Sequence, residues 1–212
     1  MILRNSYLIF LIQYLANLKP DLFKHCAKLA LIDFGHNLIP MLPSEVFKDL
    51  TELKYVEFKQ NRISILQQDL FKNCTKVETI HFSRNIVAEL PSEICKGLTE
   101  LVEVDFSLNL ITNLREDTFN GCTRIEIIDF SYNKFVRLPA KLFDGLPMLR
   151  RVDFSANNSI VTKHSSRRSL NMWNYYYIFI SLYIANCFLW AIEAHRGCGY
   201  KLEGPRRSRT RI

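Results

Sequence analysis

Five histidines and six cysteines are the side chains of this 212-residue chain that could ligate a metal or pair as base and nucleophile. The cysteines (Cys26, Cys74, Cys95, Cys122, Cys187, Cys198) form no CxxC pair and keep no zinc-type spacing with a histidine. Neither a metal nor a cofactor is expected. His81 has no recurring serine or cysteine beside it to activate, so it reads as a solvated surface histidine and the chain as a non-enzyme. What does recur is carboxylate and amide. Asp33, Glu57, Asp105, Asp129 and Asp153, with His81 in the third place, follow one another every 24 residues. Asn37, Asn61, Asn85, Asn109, Asn133 and Asn157 do the same, four positions later. A line of carboxylates performs no covalent chemistry, but it sets up a negative potential that favours a partner carrying Lys or Arg.

The elements that hold these groups follow from the same period. Three residues before each asparagine stands a phenylalanine (Phe34, Phe58, Phe82, Phe106, Phe130, Phe154), and five before it an aliphatic residue (Ile32, Val56, Ile80, Val104, Ile128, Val152). Apolar side chains at alternate positions mark a short strand with one buried face. Further apolar columns lie eight residues before the asparagine (Leu29, Leu53, Val77, Leu101, Ile125, Leu149), two after it and five after it. One unit cannot enclose its own apolar side chains, so units must stack, and their strands then form a parallel sheet with the rest of each unit as the crossover.

The pattern LxxVxFxxNxIxxLPxxxFxxL resembles the leucine-rich-repeat family in its 24-residue form, usual in secreted and cell-surface members, over at least residues 15 to 157. It departs from the family in carrying phenylalanine where the second strand leucine is usual. The resemblance implies an α/β solenoid: a horseshoe with the parallel sheet on its concave face and irregular or short helical segments on its convex side. The asparagine ladder then satisfies backbone groups where the chain leaves each strand. The return-path column Phe23, Phe47, Phe71, Phe119 and Phe143, with Cys95 standing in once, is expected to be a packed spine. Cys26, Cys74 and Cys122 share a column with leucines and are expected as free, buried thiols, since two units separate them by about 10 Å. A bridge between Cys74 and Cys95 stays open.

Partner-binding residues are expected on the strand face that points away from the core. The carboxylate column supplies Asp33, Glu57, His81, Asp105, Asp129 and Asp153. The more variable columns add Tyr55, Arg84, Tyr132 and Arg151, of types that often dominate binding energy. The expected ligand is a protein, in the sharper reading one with a basic surface, and no nucleic acid. In the blander reading the aspartates are scaffold.

Residues 1–162 hold 19 Lys/Arg and 19 Asp/Glu, so the net charge of +7 arises wholly in residues 163–212, with 9 basic and 2 acidic residues. Residues 1–20 form an apolar, signal-like segment that overlaps a first degenerate repeat. Residues 21–162 are the repeat domain, 163–171 a basic linker, 172–194 an apolar helix and 195–212 a basic tail. The apolar helix reads as a membrane span through residues 173–192, as a cap over the open end of the solenoid, or as the product of an incomplete gene model. Asn73, in the triplet Asn73-Cys74-Thr75, is the expected N-glycosylation acceptor. Together these place the repeats at the plasma membrane facing outward, or secreted, with a cytosolic adaptor as the rival.

Overall fold

The computed structural model describes residues 2–4, 7–9, 14–92 and 94–158. Eight three-residue strands, β1 (Ile2–Arg4), β2 (Tyr7–Ile9), β3 (Leu31–Asp33), β4 (Tyr55–Glu57), β5 (Thr79–His81), β6 (Glu103–Asp105), β7 (Ile127–Asp129) and β8 (Arg151–Asp153), lie in chain order in one sheet. From β2 to β8 the pairing is parallel, and each residue faces its 24-residue equivalent, as in Ile32↔Val56 and Val104↔Ile128. The strand in register at β2 shows that a repeat does begin before residue 20. The sequence pattern did not show β1, which pairs antiparallel with β2 at the sheet's edge.

In β3 to β7 the middle residue is buried and its neighbours are half-exposed. The β-branched inner column thus packs inward while the outer columns meet solvent. Beneath the sheet the phenylalanines stack nearly parallel, with ring centroids 5.3 to 5.7 Å apart from Phe34 through to Phe154. Each such buried ring contributes about 2–3 kcal/mol. The second spine is also buried at Phe23, Phe47, Phe71, Cys95 and Phe119. The four described cysteines are free, so Cys74 and Cys95 do not pair. Cys95 lies instead beside Cys122, whose thiol donates to the Cys95 carbonyl at 3.6 Å. Cys26 is only partly buried, because its unit lies near the start of the stack.

The asparagine ladder has the expected structure. Asn109 Nδ2 donates to the carbonyls of Phe82, Phe106 and Ser107, and its Oδ1 accepts the Val87 N–H. The pattern repeats from Asn37, which accepts the Leu15 N–H, to Asn157, which accepts the Phe135 N–H. Each amide therefore ties its own turn to the preceding unit. The residue just before each asparagine (His36, Gln60, Arg84, Leu108, Tyr132, Ala156) takes the left-handed conformation, with φ between 52 and 59°.

Of the two expectations for the return path, irregular segments or short helices, the structure has the first and corrects the second. Among the described residues there is no helix: the segments are chains of turns closed by bonds such as Leu50 N–H to Phe47 O and Cys74 N–H to Phe71 O. A dozen residues shared among successive turns leave no room for a helix to nucleate, and the positive φ of Gly97, Gly121 and Gly145 breaks any run. Correspondingly, no helix among the described residues is long and apolar enough to cross a membrane. The apolar segment 172–194, the linker and the tail lie outside them.

Candidate functional site

The outer face of the sheet carries two columns. One reads Asp33, Glu57, His81, Asp105, Asp129, Asp153 across β3 to β8, and the other Leu31, Tyr55, Thr79, Glu103, Ile127, Arg151. Strand pairing thus brings together most of the residues expected to bind a partner. Each carboxylate also has a local task. One oxygen of Asp33, Glu57, Asp105, Asp129 and Asp153 accepts the backbone N–H two residues on, at 2.8 to 2.9 Å. This fixes the turn out of the strand. A scaffold role and a negative face therefore coexist in the same side chain. Burial, and then the charges of Asp153 and Asp105, raise Asp129 above its ordinary carboxylate value.

His81 breaks the column and gathers a cluster around itself. Its Nδ1 lies 3.2 Å from both Glu57 Oε2 and the Tyr55 hydroxyl, which itself donates to Glu57 at 3.1 Å. The Tyr55 and His81 rings meet edge to face at 5.5 Å. Nε2 stands 3.4 Å from Glu103 Oε1, near enough for charge attraction but not aligned for a hydrogen bond. Burial opposes charge on the imidazole, yet the hydrogen bond and charge of Glu57, with Glu103 and Asp105 beyond, outweigh it and raise His81 above its ordinary value. Burial likewise disfavours the Glu57 anion, but bonds from His81, the Lys59 N–H and Tyr55 leave it lowered. Burial and the Glu57 charge push the Tyr55 phenol well up. His81 is thus half-buried and charge-paired, where the sequence suggested a solvated side chain.

Arg84 and Tyr132 stand apart from this group. Both lie in the left-handed turns beyond the strands, on the flank that carries the asparagine ladder. Of the nine large apolar side chains left exposed among the described residues, all but Met148 fall on this turn flank, between one residue before the asparagine position and four after it. Ile86 and Leu110 at one repeat position, and Leu108 and Tyr132 at another, carry this exposed apolar character over three successive units.

The opposite flank, where the chain enters each strand, is laced by ion pairs between neighbouring units. Lys54–Glu78 and Lys76–Glu52 join the second and third asparagine units, Arg124–Glu100 the fourth and fifth, and Arg150–Glu126 the fifth and sixth. Sequence reasoning missed both flanks. The alternation of sign at Glu52, Lys76, Glu100 and Arg124 was the available signal for one. The apolar residues on either side of the asparagines were the signal for the other.

Asn73 is exposed, as expected of an acceptor, with its amide donating to the Lys48 carbonyl at 3.0 Å. Asn157, in the further triplet Asn157-Asn158-Ser159, spends its amide on three backbone carbonyls. Among the described residues no group of histidine, cysteine and carboxylate side chains is arranged to hold a metal.

Two family models match the chain: one described as leucine rich repeat over residues 99–158, the other as BspA type leucine rich repeat region over residues 8–111. Among solved structures, a leucine-rich-repeat protein of Leptospira interrogans is 21% identical with a TM-score of 0.61, covering 78% of this chain and 38% of its own. The Toll–Spatzle complex of Drosophila, in its glycosylated form, is 18% identical with a TM-score of 0.67, covering 74% of this chain and 22% of its own. The TLR13–ssRNA13 complex is 19% identical with a TM-score of 0.64, covering 72% and 21%. No curated protein sequence matches. At these identities the likeness is one of fold, and the chain spans well under half the length of each structure. The repeat register, the asparagine ladder and the two family matches agree that this chain belongs to the leucine-rich-repeat family.

Proposed function

We propose that the chain is a non-enzymatic recognition scaffold that holds a protein partner on the outer face of its sheet, with a Lys or Arg of the partner over Asp105 and Asp129. The observation that carries this reading is the register. Glu57, Asp105 and Asp129 point outward from strands of one sheet, and Asp105 and Asp129 pair with no cation among the described residues. Each has one oxygen fixed by a backbone N–H, so the other is held in place without further loss of side-chain entropy. A cation from a partner would offset the burial, and after it the Asp153 and Asp105 charges, that raise Asp129. The Tyr55–Glu57–His81 cluster adjoins this stretch and offers an aromatic anchor.

The fold is one typically used for protein recognition, and several similar structures are complexes, Toll with Spatzle among them. The test is affinity capture on the full chain, comparing wild type with Asp105→Lys/Asp129→Lys and with Arg124→Glu on the ion-paired flank. The reading expects the same partner on wild type and Arg124→Glu, and its loss from the double variant. Equal capture by all three would reduce the carboxylates to scaffold. For location, the proposal is an extracellular or secreted repeat domain. It is supported by the exposed side chain of Asn73 in its triplet and tested by glycosidase treatment of wild type and Asn73→Gln from cultured cells. A shift that the substitution abolishes supports it, and an unshifted, cytosolic protein favours the adaptor reading.

A further inference from the structure

The turn flank is unlike any other part of the described surface. Ile86 (48% exposed), Leu108 (37%), Leu110 (44%) and Tyr132 (57%) follow one another over three successive units. Exposed apolar surface grouped in this way marks a site to be covered. Two of the four are held at a backbone cost: Leu108 and Tyr132 sit at φ 55°, where glycine or asparagine is unstrained. The fold gains nothing from placing bulky side chains there, since neither is buried.

Charge around the patch is mostly basic. Arg62, Arg84 and Lys134 border it, and none of them forms an ion pair among the described residues. Arg137 adds to the cations at its far end, and Glu89, exposed four residues after Asn85, is an acidic exception. On the strand-entry flank, by contrast, basic side chains find acidic partners in neighbouring units. An occupant of the turn flank therefore needs apolar residues for the patch and carboxylates for its rim.

Spacing narrows the shape. Buried phenylalanine rings of successive units lie 5.3 to 5.7 Å apart, and paired strands about 4.8 Å, so units follow one another at about 5 Å. An α-helix advances about 5.4 Å per turn, so a helix lying along the stack offers one side chain per turn to each unit. An extended strand repeats a face about every 6.7 Å and drifts out of step across three units. Nucleic acid fits less well, because a few cations and one aromatic ring make a sparse match to a phosphate backbone.

We propose that the flank formed by Arg62, Arg84, Ile86, Leu108, Leu110, Tyr132 and Lys134 docks an acidic amphipathic helix of a partner protein, laid parallel to the stack. The site is separate from the sheet face, so either assignment can fail alone: Asp105→Lys/Asp129→Lys reads the sheet face and leaves this flank intact.

The experiment selects a random-peptide display library on the full chain and counter-selects on Leu108→Asp/Leu110→Asp. A second variant, Arg84→Glu/Lys134→Glu, keeps the apolar face and alters only the rim. Enriched peptides should place apolar residues at helical spacing beside Asp or Glu, and should bind both variants about tenfold more weakly. On the charge-reversed variant, reselection should favour Lys or Arg in place of the acids. Peptides without helical spacing or acid, or with equal affinity for all three proteins, would overturn the proposal. So would binding of phosphatidylserine vesicles or of single-stranded RNA that both variants abolish, since that would assign the flank to a lipid surface or a nucleic acid.

Discussion

The two flanks of the sheet are built from the same 24-residue register yet are held together differently. Where the chain enters the strands, neighbouring units are joined on the outside by exposed ion pairs such as Lys76–Glu52 and Lys54–Glu78. Where it leaves them, they are joined on the inside by buried amides, and the outside is apolar with cations that form no ion pair among the described residues. Surface ion pairs satisfy themselves and contribute little stability. Buried amides are costly to remove. The flank that is internally the stronger is thus the one whose surface has no partner among the described residues. A surface that completes its own charge pairs is finished in water, and one that leaves apolar side chains and cations unmatched is not.

Substitution can break that contrast, and the largest effect should come from the ladder. Asn109→Ala leaves the Val87 N–H and several carbonyls without their partner. It should cost about 3 kcal/mol in chemical denaturation, and an unchanged midpoint would refute the buried-amide account. His81→Gln should cost about 1 kcal/mol near neutrality, with a pH dependence that identifies the cause. His81 is raised from its ordinary 6.5, so its contribution is fully present below that value and is lost as pH climbs through the raised one. Glu57 is lowered from 4.5, so its contribution is present above that value and is lost as pH falls through the lowered one. The gap between wild type and variant should therefore be widest in mildly acidic solution and close on the alkaline side; a gap independent of pH would mean that packing alone is lost. Leu108→Asp/Leu110→Asp should shift stability by no more than about 0.5 kcal/mol, despite removing two leucines, because both side chains are exposed. A large loss would make that patch core rather than surface. Smallest of all, Lys76→Ala should cost under about 0.5 kcal/mol and lose even that in high salt. A cost rivalling that of Asn109→Ala would erase the distinction between the flanks.

How far these features were legible in the sequence depends on whether one residue or two units define them. Phe34, Ile32 and Asn37 announce their roles because each repeats with the period of the fold, and burial follows from alternation alone. The carboxylate column was legible for the same reason, as was the repeat that begins before residue 20. The turns of the return path were not distinguishable from short helices, since both tolerate the same apolar spacing. The pairing of His81 with Tyr55 and Glu57 joins residues of two neighbouring strands in different columns, which a reading along one column at a time does not combine. Cys95 was weighed against Cys74 because it lies one unit away on a neighbouring column; its actual neighbour, Cys122, stands one unit away on the other side. Arg84 and Tyr132 were grouped with the sheet face because they precede the asparagines, whereas the left-handed turn carries them to the flank.

The account rests on which surfaces meet a partner, and cross-linking in cells measures that directly. A photo-reactive residue placed at Thr79 on the sheet face, at Leu110 on the turn flank and at Lys76 on the ion-paired flank reports contact at each position separately. The account predicts adducts to a protein from Thr79 and Leu110 and none from Lys76; adducts confined to Lys76, or equal at all three positions, would contradict it.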